Sequence, residues 1–136
     1  MCNSKPLAFQ KRYDLSGYVY VAGSLFGQII KIGFSSNYEM RETLLNNQKY
    51  GGCNDWKILI VIHGGNGGKL ELQLQSKLSR YSTSREYFHD NHYTEGSELF
   101  QCSIEKVVET IEKLESDFKW VVRKDFTDYK FRNLIK

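Results

Sequence analysis

Four side chains in this sequence combine reactive chemistry with informative neighbours. Tyr20 closes the run Gly17-Tyr18-Val19-Tyr20, Lys31 interrupts a stretch of isoleucines, Arg41 lies eight positions beyond Gly33, and Glu71 follows a glycine-rich segment. A phenol takes up or relays a proton near neutral pH only if a cation acidifies it. A lysine among isoleucines either faces solvent on an alternating strand or is an expensive buried cation. Arginine presents a planar fork that fits two phosphate oxygens. Each position also has an ordinary explanation. Tyr18 and Tyr20 suit any strand, Arg41 suits a helix surface, and Glu71 borders the Leu70, Leu74, Leu78 stripe.

Taken in order, these residues resemble the GIY-YIG nuclease family. Gly17-Tyr18-Val19-Tyr20 is similar to the first family motif with one residue inserted. Lys31-Ile32-Gly33 is similar to the second, in the branch that carries lysine in place of tyrosine. Gly33 follows Tyr20 by 13 positions and Arg41 follows Gly33 by 8, and Glu98-Leu99-Phe100 is similar to a late E-[WL]-F motif of that branch. The resemblance spans Gly17 to Cys102. It implies an endonuclease that hydrolyses DNA with one divalent ion, Mg²⁺ or Mn²⁺. Glu71 would be the metal ligand, and Tyr20, Lys31, Arg41 and Tyr18 the catalytic set. Many members carry a histidine or tyrosine four residues after the arginine. Leu45 stands there in this chain, so the general base comes from elsewhere, with Tyr20, Tyr18 and Tyr38 as alternatives. The late family asparagine has no clear counterpart.

Phosphodiester hydrolysis requires an activated water, neutralisation of the charge that builds on the phosphorus centre, and help for the leaving alkoxide. Tyr20 can relay the proton if Lys31 acidifies it, or Lys31 can itself hold a phosphate oxygen. Arg41 can clamp the phosphate. One carboxylate from Glu71 suits Mg²⁺, which takes one or two carboxylates and keeps several waters. The alternative is a fold of the same kind that binds nucleic acid or protein without cutting.

Other constellations carry less. His89-Asp90-Asn91-His92 lacks the i,i+4 histidine spacing of a helical zinc site. Gly64-Gly65-Asn66-Gly67-Gly68 has no G-x-x-x-x-G-K-[ST] pattern, so a nucleotide cofactor is disfavoured. Cys2, Cys53 and Cys102 are widely spaced and odd in number, which fits free thiols. His63 either sits near the active site or caps a strand end, the second being preferred.

Those side chains need a scaffold. Strands are expected at 17–22, 29–34 and 56–62, with a hairpin turn between Gly23 and Gly27. Helices are expected from Ser35-Ser36-Asn37 to about 47, from 69 to 81, and after Ser103, with Ile104, Val107, Val108, Ile111, Leu114 and Phe118 on one face. The stretch 82–96 reads as loop plus a short strand, and 97–101 as a short strand. The fold class is α+β, a small mixed or antiparallel sheet flanked by helices. Its 136 residues suit one domain. The expected division is a basic arm at 1–16, the catalytic domain at 17–118, and a basic aromatic extension at 119–136.

Charge follows that division. The whole chain is +3, but 1–16 carries +2, 17–118 carries −3, and 119–136 carries +4. DNA affinity is therefore expected from the ends, above all from Lys119, Arg123, Lys124, Lys130 and Arg132, although their aromatic neighbours can equally pack on the core. A small domain with little recognition surface leaves three options: a homodimer, cutting with modest specificity, or targeting borrowed from a partner. Without a membrane-length apolar run or a signal-peptide core, the expected location is intracellular, in cytoplasm or nucleoid, with no membrane partner.

Overall fold

The computed structural model describes residues 17–64, 67–114, 118–126 and 129. Its centre is a six-stranded antiparallel sheet. In chain order the elements are β1 (Gly17–Ser24), β2 (Ile29–Ser35), α1 (Arg41–Gln48), β3 (Lys57–Gly64), α2 (Gly67–Lys77), β4 (Ser82–His89), β5 (His92–Phe100), α3 (Ile104–Glu112) and β6 (Phe118–Arg123). The strand order across the sheet is β4-β5-β2-β1-β3-β6. This is the expected α+β architecture.

Alternation divides the sheet into two faces. Val19, Val21, Ile30, Ile32, Leu59, Ile60 and Ile62 face one side. Leu70, Leu74 and Leu78 of α2 and Ile104, Val107 and Ile111 of α3 cover them. Tyr20, Ala22, Ile29, Ile58, Val61 and Leu99 face the other side, where Leu45 of α1, Cys53 and Trp56 pack. The near-continuous apolar run of β3 follows from burial on both faces.

The β1–β2 turn forms differently from its glycine pattern. Gln28, not a glycine, adopts the left-handed backbone, with φ 55°. Gly27 is required for space instead, because a Cβ there would lie 2.5 Å from Cys53 Sγ. Asp55 fastens the turn by accepting from Ser24 Oγ at 2.6 Å and from the Phe26 amide at 2.9 Å.

Three expectations are corrected. Residues 82–96 are not mainly loop: β4 and β5 form a long hairpin that turns at Asp90 and Asn91, with φ 53° and 65°. Most of its residues are polar and much of it is exposed, the aromatic pair Phe88 and Tyr93 included, so no buried alternation marks it in the sequence. The helix after Ser103, capped by Ser103 Oγ accepting from the Lys106 amide at 3.1 Å, ends at Glu112. Phe118 belongs to β6, which pairs with β3. The sheet therefore runs past 118 into the segment expected as an extension. Finally, α2 stops at Lys77, and a 3₁₀ turn carries the chain on to Tyr81.

Candidate active site

Tyr20 on β1 pairs with Gly33 on β2, and Lys31 pairs with the neighbouring Ala22. Tyr20 and Lys31 thus project from one face, diagonal to each other. The Tyr20 ring lies across Gly33 so closely that a Cβ on Gly33 would sit 2.5 Å from the phenol oxygen. The second motif therefore needs glycine to seat the tyrosine of the first.

Both side chains are buried, Tyr20 at 2% and Lys31 at 6% exposure. Lys31 Nζ donates to Glu98 Oε1 at 2.9 Å. It also stands 4.7 Å from the centre of the Tyr50 ring and 6.0 Å from that of Tyr20. Burial alone would lower the Lys31 ammonium, but the Tyr20 phenol and the Glu98 carboxylate reverse that and hold it above the usual lysine value. Burial pushes the Tyr20 phenol up. Lys31 and then Arg41 pull it down without restoring its ordinary value.

Arg41 is the first residue of α1, a helix anchored by three hydrogen bonds from Glu42 and Asn46. Glu42 Oε1 accepts from the Ile58 amide at 2.8 Å, and Asn46 bonds both the Trp56 amide and carbonyl, at 2.7 and 3.1 Å. Among the described residues Arg41 itself makes no ion pair, and it is half-buried. Its charge acts on Tyr20.

Glu71 on α2 is 2% exposed. Gln75, one helical turn on, donates to Glu71 Oε2 at 3.1 Å and to the Ile32 carbonyl at 3.0 Å. β5 pairs with β2 only at Ile30 and Lys31, so Gln75 meets β2 where that strand pairing has ended. Glu71 is thereby tied to the residue that precedes Gly33, over which Tyr20 lies. Its carboxylate offers the hard oxygen donors that a divalent ion takes. Among the described residues no group of three or more His, Cys, Asp and Glu could hold a metal.

Tyr18 packs between Tyr38 and His63, with ring centres at 5.0 and 4.8 Å. His63 is therefore on the Tyr18 face of the sheet, directly opposite Tyr18 in register. Lys119 is opposite His63 on β6 and shares that face. Arg123 points the other way: it ion-pairs with Glu112 of α3 at 3.8 Å and covers Trp120 at 5.1 Å. Lys124 joins Tyr38, Glu42 and Ile58 around a cavity of about 230 Å³ beside α1. Lys130 and Arg132 lie outside the described residues, as does the arm 1–16. A larger groove of about 540 Å³ runs between α2 and α3 on the opposite layer.

Sequence reasoning missed Tyr50, Gln75 and the role of Glu98. Gln75 had a readable signal, since it lies four residues after Glu71 on a helix.

A family model, the T5orf172 domain, matches residues 17–115, from the start of β1 to just past α3. The chain belongs to the T5orf172 domain family. No curated protein and no solved structure matches it. In this T5orf172 domain, Tyr20, Lys31, Arg41 and Glu71 all fall within the matched span, and β6 lies beyond it. Among its described residues no helix is long and apolar enough to cross a membrane.

Proposed function

We propose that this T5orf172 domain is a metal-dependent endonuclease that hydrolyses DNA through a GIY-YIG-type site. The observation that carries this reading is that Tyr20, Lys31 and Arg41 act on one another on one face of the sheet, while Glu71, from the helix that covers the other face, is tied to the same strand β2. The Tyr20 phenol crosses Gly33, the charged Lys31 lies beside it, Arg41 acts on the same phenol, and Glu71 is tied through Gln75 to Ile32.

The roles follow from burial and charge. Arg41, without an ion-pair partner among the described residues, is the cation left to grip a phosphate oxygen pair. Lys31 is engaged by Glu98 beneath the surface. It acts on Tyr20 electrostatically rather than as a phosphate ligand. The Tyr20 phenol, held up by burial, is neutral near pH 7 and orients the reacting water through its hydroxyl. It becomes a base only in its small ionised fraction. Glu71 would hold one Mg²⁺ or Mn²⁺, which polarises the phosphate and lowers the pKa of a bound water. Lys119 and Lys124, exposed on or beside the same face, are the described cations placed to meet flanking DNA phosphates.

A binding module that does not cut is the second reading, favoured by the upward push on Tyr20. Plasmid incubated with the protein and Mg²⁺ or Mn²⁺ separates the two. Under the first reading the wild type cuts, at a rate rising with pH from 7 to 9, while Arg41→Ala and Glu71→Ala each lose roughly 10²–10³-fold. Binding without cutting by the wild type in either metal would refute the nuclease.

A further inference from the structure

We propose that Glu98 is a positioning residue, whose carboxylate, re-aimed by a β-bulge, pins the Lys31 ammonium at the side of the Tyr20 ring. The proposal rests on the reading of Tyr20 and Lys31 as the working pair of a nuclease, and it adds a residue from a different part of the sheet.

The backbone makes the case first. Thr83 pairs with Leu99 and Arg85 pairs with Gly96, so Ser84 alone on β4 opposes both Ser97 and Glu98 on β5. Leu99 shares the Lys31 side of the sheet, where the two are in register. Strict alternation would send the residue before Leu99 to the other face, under the helices. The bulge breaks that alternation, and Glu98 takes a left-handed backbone with φ 61°. A non-glycine residue there is uncommon, and bulges gather where a side chain must be turned toward a site. The turned carboxylate ends 2.9 Å from Lys31 Nζ.

Lys31 needs such a restraint. Its four-carbon stem can carry the ammonium outward to water or to a bound phosphate. Tyr20 on β1, Tyr50 on the 3₁₀ turn after α1, Tyr87 on β4 and Glu98 on β5 are the titratable groups acting on it, and Arg41 of α1 acts on Tyr20. Only Glu98 among these is an anion at neutral pH. It supports the charged form of Lys31 both by charge and by a hydrogen bond.

The sign of one measurement separates pinning from simple electrostatics. Tyrosine labelled with ¹³C at the hydroxyl-bearing carbon reports the Tyr20 titration in the full chain. If Glu98 only adds negative charge near the phenol, Glu98→Gln lowers the Tyr20 pKa. If Glu98 pins Lys31, its loss frees or neutralises the ammonium, and the pKa rises by about one unit despite the lost anion. Glu98→Asn, which accepts a left-handed backbone, serves if the glutamine variant does not fold and should move Tyr20 the same way. A fall or no movement in the folded variant overturns the proposal. In the unmodified protein, ¹⁵N-lysine spectra should show Lys31 ammonium hydrogens exchanging far more slowly than those of the other lysines. Exchange as fast as theirs overturns it whatever the variants do. In cleavage assays the variants should lose about tenfold in kcat with KM unchanged. A protein that never cuts DNA sinks the nuclease reading alone, because the two spectra still decide the role of Glu98.

Discussion

The two faces of the central sheet are built from alternate residues of the same strands, yet they are made for different ends. Under α2 and α3, the strands present valine, isoleucine and leucine, and the buried Glu71 of this layer comes from α2 rather than from the sheet. On the other face the same β1 and β2 present Tyr18, Tyr20 and Lys31, covered among the described residues by the short α1 and the flanking segments that carry Tyr38, Tyr50 and Trp56. A period of two lets one strand serve both faces. Burial on the first face returns stability. Burial on the second traps a cation and a phenol, with a partly exposed carboxylate on the cation, in an arrangement that a folding core would avoid. Substitutions should therefore separate into those that unfold the protein and those that silence it.

The largest stability effect is expected at Leu74, fully buried under the apolar face. Leu74→Ala should cost about 2–5 kcal/mol in chemical denaturation, with activity per folded molecule retained. A comparable loss of activity in the folded fraction would break the distinction between faces.

Gly33→Ala should breach it from the other side. The added methyl meets the Tyr20 ring at 2.5 Å, so overpacking of about 1–3 kcal/mol should coincide with loss of cleavage, because the same contact seats the phenol. Unaltered activity would mean that the position of Tyr20 is not critical.

A smaller effect should appear in alkali. Tyr20 and Lys31 both hold protons more tightly folded than unfolded, relative to ordinary values of 10.0 and 10.5. Their contribution to stability is complete below pH 10 and drains away as pH rises through the folded values. Melting temperatures taken between pH 8 and 11 should fall above pH 10, and less steeply in Tyr20→Phe. The same slope in both proteins would show that Tyr20 is not a source of the decline.

The smallest expected effect is chemical rather than energetic. Cys102, on the apolar side, has its thiol pushed up to about 12 by burial. It should resist a thiol-disulfide reagent at pH 8 until denaturant is added. Fast native labelling of Cys102, read by mass spectrometry of its peptide, would show that this face opens readily.

Much of this was legible from residue order. The β1–β2 hairpin, the apolar β3 and the stripes of α2 and α3 follow strong periodicities, whereas Tyr20, Lys31, Arg41 and Glu71 are marked as a set only by their resemblance to the GIY-YIG motifs. The β4–β5 hairpin was not legible by hydrophobicity, since Tyr87 alone among β4 residues is buried. Its one clear clue was the Asp90-Asn91 turn between His89 and His92, which register opposite each other. The ion pair of Lys31 was also hidden. It depends on a two-against-one register in a strand 67 positions away, and no local pattern announces such a bulge. Likewise, Tyr50 reaches Lys31 only because Lys49 turns the chain through a left-handed backbone, with φ 52°.

Strand β6 carries a practical consequence. The family match ends at 115, whereas the sheet continues to Arg123. β6 covers the hydrogen-bonding edge of β3 from Ile60 to Gly64, a stretch that is apolar through Ile62. A protein trimmed to the family boundary would expose that edge as a template for other chains, and self-association is its expected fate. DNA affinity lost on deleting 119–136 would then report a broken sheet as much as missing charge. Single substitutions of Lys119 and Lys124, which leave the strand in place, read the charge alone.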